Sequence, residues 1–193
     1  MDKPTNTYGE IIAMDAAELS SAIRTRKVSC REVMQAYLDQ IDRVNPKVNA
    51  IVSLRDRDAV LAEADERDRE LAGGYYRGWM HGFPQAPKDL AATVGLPTTL
   101  GSPIFRDTIP PEDAIVVERI KKSGAIIIGK TNVPEFGLGS HTYNNVFGTT
   151  LNAYDQTKTA GGSSGGAAVA LALRMLPVAD GSDMMGSLRN PAA

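Results

Sequence analysis

Apolar side chains recur every three or four positions along the first seventy residues, which is the spacing of one face of a helix. Two helix starts carry capping-box signatures, Asp15 followed by Glu18 and Ser29 followed by Glu32. The second helix is expected to end at Pro46, because proline lacks the backbone N–H that would continue the helical hydrogen bonds. The pattern therefore predicts at least two capped, one-sided helices.

Charged residues dominate the next predicted helix. Over residues 56–71, acid–base pairs such as Glu63 and Arg67 stand four positions apart, which favours ion pairs along a solvated helix face. Residues 49–54 fit a short strand between these helices. Together the patterns predict an N-terminal helical region over residues 1–72, whose role is packing and solubility.

The pattern changes after Gly73-Gly74, where glycine and proline become frequent and the apolar runs become short. Residues 125–128 and 175–179 have the continuous apolar character of buried strands. A helix is predicted before the first strand, and an apolar helix over residues 167–173 precedes the second. Because strands and helices alternate, this part of the chain predicts an α/β fold.

Composition narrows the class of protein. With 193 residues, 42% of them hydrophobic, the chain can build a core and has the length of one domain or of a piece of a larger one. The net charge of −2 and the lack of a basic run argue against a nucleic-acid partner. There is neither an apolar signal segment nor a run long enough to span a membrane. Cys30 is the one cysteine, so no internal disulfide can form. We therefore expect a cytoplasmic protein with no membrane partner.

Two serine-bearing loops stand out. Residues 161–166 read Gly-Gly-Ser-Ser-Gly-Gly directly before a predicted helix, where glycine allows a close backbone approach to a ligand. A phosphate-binding loop would end in Gly-Lys-Ser or Gly-Lys-Thr, whereas two alanines follow Gly166. The second loop, residues 181–189, follows a predicted strand and could present a hydroxyl together with backbone N–H donors, as oxyanion holes do.

A serine nucleophile in these loops would need a base. Neither His81 nor His141 stands in a Ser–His motif, and no Gly-x-Ser-x-Gly elbow surrounds Ser163 or Ser187. A lysine that burial keeps neutral is the alternative, and Lys88 is the candidate because its neighbours are weakly charged. Taken alone, this lysine would be read as a solvated surface charge, and only its combination with the two serine loops favours a catalytic role.

These segments together resemble the amidase-signature family. Residues 81–89, 161–166 and 181–191 are similar to the three blocks of that family, in the same order and spacing, and residues 130–136 and 145–148 resemble the segments between them. The resemblance implies a central mixed sheet flanked by helices. It also implies hydrolysis of a linear, small-molecule amide through an acyl-enzyme, with no metal and no organic cofactor.

The resemblance also implies a catalytic triad. Ser187 would be the nucleophile, and Ser163, preceded in the family by a cis peptide bond, would link it to Lys88. Lys88 would accept the proton and return one to the leaving amine through Ser163. Such a relay suits a lysine that lies too far from the nucleophile for direct contact.

Neighbouring groups complete the implied site. The family block commonly has glycine where this chain has Met185, and a positive φ there would strain methionine by roughly 1 kcal/mol or more. Pro87 is a second departure from the family pattern. The supporting side chains are Ser164, Asp183 and Arg189, and the backbone N–H groups implied to hold the oxyanion belong to Met184, Met185, Gly186 and Ser187.

Length leaves alternatives open. Family members typically run to more than twice this chain, so residues 73–193 are expected to be the N-terminal part of the catalytic domain, with an incomplete sheet. The function could then be that of a stand-alone amidase, of the glutaminase subunit of a tRNA-dependent amidotransferase with partner subunits, or of an inactive fragment or binding module. Asn190, where that subunit usually has glutamine, favours the stand-alone amidase. A homodimer also stays open.

Overall fold

The computed structural model of the protein describes residues 8–193. The first part of the described chain is mainly helical, and strands of two residues each are joined by loops in the rest. The helices are α1 (Tyr8–Ala13), α2 (Ala16–Arg24), α3 (Cys30–Val48), α4 (Arg57–Ala72), α5 (Ile115–Lys122) and α6 (Gly165–Ala172). The strands are β1 (Ile51–Val52), β2 (Pro84–Gln85), β3 (Ile126–Ile127), β4 (Lys130–Thr131), β5 (Tyr143–Asn144) and β6 (Gly148–Thr149).

Both predicted capping boxes are confirmed. Asp15 caps α2 and Ser29 caps α3, each with a reciprocal bond from the glutamate three residues later. The predicted stop at Pro46 is wrong, because α3 continues through it to its end at Val48. Proline in the last turn removes only one intrahelical bond. The helix ends instead where Asn49 adopts a left-handed conformation, with φ 52°.

Helix α4 forms where the charge pattern predicts it, but its ion pairs differ. Arg67 bonds Glu70 at 3.1 Å rather than Glu63, and Glu63 pairs with Arg55. The reason is that α4 is only partly solvated. It packs against α3 and β3 and buries Val60, Leu61, Ala64 and Leu71, so Glu63 meets a partner outside the helix, while Arg67 pairs with a residue one turn along it.

Strands β1 to β4 meet in a narrow ribbon of mixed direction. Strand β3 pairs with β2 in parallel, and β4 pairs with β1 antiparallel. A further parallel bridge joins Lys88 to Thr131, so the segment that contains β3 and β4 has the Lys88 segment on one side and β1 on the other. Strands β5 and β6 form a separate hairpin. This arrangement places Lys88 at the end of the ribbon.

The predicted strand over residues 175–179 is wrong. Among the described residues, no segment forms a ladder with it, and Pro177 lacks one of the donors that a ladder needs. Its first residue closes α6 instead, since the Met175 N–H donates to the Ala170 carbonyl at 2.8 Å. The segment is still anchored, because Met175 and Leu176 are buried.

One hydrophobic core spans the described chain. It includes Tyr37 from α3, Phe83 beside β2, Ile126 in β3 and Met175 after α6. Residues on both sides of Gly73 therefore share a core, and the division at residue 72 stays a prediction. Within residues 8–193, none of the helices combines the length and the apolar character needed to cross a membrane.

Helix α6 approaches the ribbon closely at Gly166. A Cβ atom at this position would lie 2.4 Å from the Asn132 nitrogen and 2.7 Å from the Ala50 oxygen, distances that real Cβ atoms do not adopt. Both neighbours are backbone atoms, which cannot swing aside as a side chain can. Glycine at this position lets the first turn of α6, and the serine loop before it, lie against the strands.

We therefore expect Gly166→Ala to lower the free energy of unfolding by about 2 kcal/mol, through overpacking against rigid backbone. Gly73→Ala is the matched control, because a Cβ there would meet its nearest atoms at 3.5 Å, an ordinary contact. Urea denaturation of both variants checks the prediction. Equal stability of the two variants would contradict it.

Candidate active site

The glycine-serine loop positions two buried hydroxyl groups in front of α6. The Gly162–Ser163 peptide bond is cis, as the resemblance implies. Thr142 fastens the loop, because its hydroxyl donates to the Gly161 carbonyl at 2.8 Å and accepts from the Gly165 N–H at 3.2 Å. Ser163 and Ser164 are almost fully buried, with 1% and 4% of their surface exposed.

Lys88 points into this loop from the end of the ribbon. Its ammonium nitrogen lies 2.8 Å from the Ser163 hydroxyl oxygen, 2.8 Å from that of Ser164 and 2.9 Å from that of Ser182. Burial disfavours the charged form and lowers the pKa of Lys88 to about 8, against the attraction of Asp180 and Asp183. A lysine in this state can take up and release a proton near neutral pH.

Sequence reasoning missed Ser182. It stands one residue before Asp183 in the second serine loop, and its hydroxyl completes the set of three around Lys88. Its position between Gly181 and Asp183 was a weak signal, since nothing local distinguishes a serine that faces a lysine from one that faces solvent. The three hydroxyls come from two loops, so Lys88 links the loops to each other.

The second serine loop is wound around one carboxylate. Asp183 accepts backbone N–H bonds from Gly186 at 2.7 Å, Leu188 at 3.2 Å and Arg189 at 3.0 Å, and both of its oxygens bond the Arg189 guanidinium at 2.9 Å. These bonds, first of all that of the guanidinium, hold the pKa of Asp183 well below its usual range. The carboxylate therefore stays ionised and fixes the backbone from 183 to 189.

This winding changes the expectation for the oxyanion donors. The Gly186 N–H, which the resemblance implies as a donor, is bonded instead to Asp183, because the carboxylate lies inside the turn. Gly186 also carries the positive φ, 105°, whereas Met185 is outside the left-handed region. The strain that a positive φ would impose on Met185 is therefore absent.

Ser187 lies where the two loops meet. Its carbonyl accepts from the Ser164 N–H at 2.9 Å, and both Ser163 and Ser187 line a cleft of about 490 Å³. The apolar side chains around this cleft are Leu90, Phe136, Leu138, Met184 and Met185. Ser163 and Ser187, which stand far apart in the sequence, thus border one cleft, and Lys88 reaches it through its contact with Ser163.

A second lysine is buried nearby. Lys130 is fully buried, its ammonium group donates to the Ala91 carbonyl and to Thr93 at 2.9 Å, and burial lowers its pKa to about 8. Asp89 is also fully buried and accepts from the Thr99 hydroxyl at 2.5 Å. These bonds fix the chain directly after Lys88, and sequence reasoning gave neither residue a role.

The two histidines have hydrogen-bond partners of their own. Both ring nitrogens of His81 are engaged by backbone, Nδ1 by the Arg77 N–H and Nε2 by the Arg67 carbonyl. His141 bonds Thr159 at 3.1 Å on an exposed loop. Within the part of the chain that the structure describes, no group of three or more His, Cys, Asp or Glu side chains is placed to hold a metal ion.

Comparison with known proteins gives curated relatives. The chain is 46% identical to the A subunit of the glutamyl-tRNA(Gln) amidotransferase of Acidothermus cellulolyticus, a match covering 95% of this chain and 36% of that protein. It is 42% identical to the corresponding protein of Streptomyces coelicolor, over 95% of this chain and 37% of the relative. The chain therefore spans less than two-fifths of the length of these relatives.

Solved structures of amidases are also similar to this chain. The native peptide amidase of Stenotrophomonas maltophilia matches with a TM-score of 0.85 and 33% identity, over 100% of this chain and 39% of that one. A fatty acid amide hydrolase matches with a TM-score of 0.92 and 27% identity, over 98% of this chain and 33% of the other. The Amidase family model matches residues 32–193, most of the chain. The chain therefore belongs to the amidase family, whose members carry the amidase signature.

Proposed function

We propose that this chain carries the catalytic groups of an enzyme that hydrolyses a linear carboxylic amide to an acid and an amine or ammonia. The observation that carries the proposal is the contact of the buried Lys88 ammonium group with the Ser163 hydroxyl at 2.8 Å. A general base needs hydrogen-bond partners and a pKa suited to its task. Lys88 is surrounded by hydroxyls, and its pKa is lowered. The Ser187 loop, which borders the same cleft, would supply the nucleophile.

In the proposed reaction the Ser187 oxygen attacks the amide carbonyl carbon. Ser163 takes the proton from Ser187 and passes its own to neutral Lys88. The tetrahedral intermediate collapses when the amine leaves with a proton returned by Lys88 through Ser163. Water activated by the same relay then hydrolyses the acyl-enzyme, which releases the acid and restores Ser187.

The negative oxygen of the intermediate needs donors that are already aimed at it. The Asp183 carboxylate binds the Gly186 N–H, so the candidate donors in this loop are the N–H groups of Met184, Met185 and Ser187. Arg189 supports them by bonding both oxygens of Asp183. Ser164 supports Lys88 directly, since its hydroxyl is the second that the ammonium group contacts.

In this proposal residues 73–193 are the N-terminal part of the catalytic domain and residues 1–72 are the N-terminal helical region, of which residues 1–7 lie outside the described part of the chain. All three triad residues, Lys88, Ser163 and Ser187, lie within the chain. The proposed reaction therefore uses groups that are present in this chain, whereas the choice of substrate is set by the whole cleft.

A second candidate is the glutaminase reaction of a tRNA-dependent amidotransferase. It is favoured by the curated relatives, since both of those reported above are A subunits of glutamyl-tRNA(Gln) amidotransferases. The chemistry at Ser187 would be the same, with glutamine as the amide and partner subunits as the users of ammonia. Asn190 argues for the stand-alone enzyme, and substrate assays separate the two.

Ser187→Ala should remove covalent labelling by a fluorophosphonate probe, by at least about a hundredfold, because the nucleophile is lost. Ser21→Ala is the matched control, since Ser21 is an exposed serine on α2. Intact-mass spectrometry of each variant after incubation checks the prediction. Labelling of Ser187→Ala at the rate of the unaltered chain would reject Ser187 as the nucleophile.

The labelling rate should rise with pH through about 8, because the neutral form of Lys88 must accept the proton. Burial sets the direction of this pH dependence. A lysine pKa lowered from 10.5 to about 8 leaves about 10% of Lys88 neutral at pH 7, and the neutral fraction increases as the pH rises. Lys88→Met should label slowly at every pH. A flat rate between pH 6 and pH 9 would be inconsistent with Lys88 as the base.

Ammonia release distinguishes the two candidate substrates. A stand-alone amidase should release ammonia or amine from simple carboxylic amides without any other protein. A glutaminase subunit should prefer glutamine and respond to added partner subunits. Coupled ammonia assays with acetamide, an aryl amide and glutamine make the comparison, and Ser187→Ala provides the blank for each substrate. Turnover of glutamine alone among the three would overturn the stand-alone enzyme.

A further inference from the structure

Asp180 contacts Lys88 through the backbone of the lysine rather than through its ammonium group. Both carboxylate oxygens of Asp180 accept from the Lys88 backbone N–H, at 3.2 and 3.1 Å. Two residues later, the Ser182 hydroxyl contacts the ammonium group of the same lysine at 2.9 Å. A single short segment therefore holds Lys88 at both its backbone and the end of its side chain.

The carboxylate also lies in the field of two buried lysines. Burial raises the pKa of Asp180, and the bond from the Lys88 N–H together with the charges of Lys130 and Lys88 opposes that rise. Asp180 in turn favours the charged form of each lysine. An ionised carboxylate next to two buried ammonium groups lessens the cost of burying them.

We propose that Asp180 is a positioning residue for Lys88, which fixes the backbone of the lysine and supplies a negative charge shared by Lys88 and Lys130. The proposal deepens the function proposed above, because it assigns to Asp180 control over the protonation of the base. Nothing in the reaction requires Asp180 to touch the substrate.

Asp180 differs from the other carboxylates that act on Lys88 and Lys130. Asp183 also acts on Lys88, but its charge is already balanced by the Arg189 guanidinium at 2.9 Å. Lys130 is also influenced by Asp89 and Asp113, and the latter is bonded to Lys121 at 2.7 Å. Asp180 is the carboxylate that acts on both Lys88 and Lys130 while also bonding the Lys88 backbone.

The charge of Asp180 keeps the pKa of Lys88 from being too low or too high for a general base. Burial alone lowers a lysine pKa, and a base with a very low pKa takes a proton weakly from serine. A nearby carboxylate raises the pKa again, and too strong an effect would leave the lysine fully protonated. The value of about 8 for Lys88 reflects burial opposed by Asp180 and Asp183.

Two substitutions separate the charge of Asp180 from its hydrogen bond. Asp180→Asn keeps an oxygen that can accept from the Lys88 N–H and removes the charge, whereas Asp180→Leu removes both. Asp155→Asn is the control, because it removes one carboxylate charge from an exposed loop outside the site. Each variant and the unaltered chain would be compared in two titrations.

The first titration follows the Lys88 side chain by carbon-13 NMR of lysine labelled at Cε, with Lys88→Arg used to assign the signal. The second follows fluorophosphonate labelling against pH. Asp180→Asn should lower the Lys88 pKa by about 1 and move the rise in labelling to lower pH by the same amount. Asp180→Leu should do so and also lower the melting temperature, and Asp155→Asn should change neither titration.

An unchanged Lys88 pKa in Asp180→Asn would overturn the proposal, because the Asp180 carboxylate would then have no electrostatic effect on the lysine. An equal change in Asp155→Asn would also overturn it, because the effect would be one of net charge. The NMR titration needs no catalysis. If the unaltered chain fails to label while Asp180→Asn still lowers the Lys88 pKa, the proposed function fails and the role of Asp180 stands.

Discussion

The burial of the Lys88 ammonium group against serine hydroxyls is the interaction on which the site depends. A buried lysine must be neutral or must have compensating partners, and here hydroxyls from Ser163, Ser164 and Ser182 surround the nitrogen. Hydroxyls stabilise either protonation state, because each can donate or accept. The lysine can therefore change its charge without a rearrangement of its surroundings, provided that both serine loops stay in contact with it.

That contact in turn depends on how closely α6 lies against the strands. Gly166 meets the backbone of Asn132 and Ala50, so the first turn of the helix sits directly on the ribbon that ends at Lys88. The Ser164 N–H then holds the second loop through the Ser187 carbonyl. The site is thus assembled by backbone contacts, which direct the candidate catalytic side chains.

The sequence allowed good prediction where the cause was local. The capping boxes at Asp15 and Ser29 depend on residues three positions apart, and both are present. Lys88 and the two loops could be selected as candidates because their residue types restrict the chemistry. The predicted strand at 175–179 and the stop at Pro46 failed because apolar character and proline do not decide pairing or helix length on their own. Ser182, Asp180 and the bond from Gly186 to Asp183 were missed because their partners are set by the turn of a loop or by distant segments.

The bonds to Asp183 are very local compared with those to Lys88. They join residues three to six positions apart, whereas the contacts of the Lys88 ammonium group span 75 to 94 positions. Closing a short loop costs less chain entropy than closing a long one, so during folding the Asp183 turn is able to form before the lysine reaches the serines. The part of the site that would bind the oxyanion would then be shaped by its own few residues. Lys88 would contact this loop only after the loop had formed.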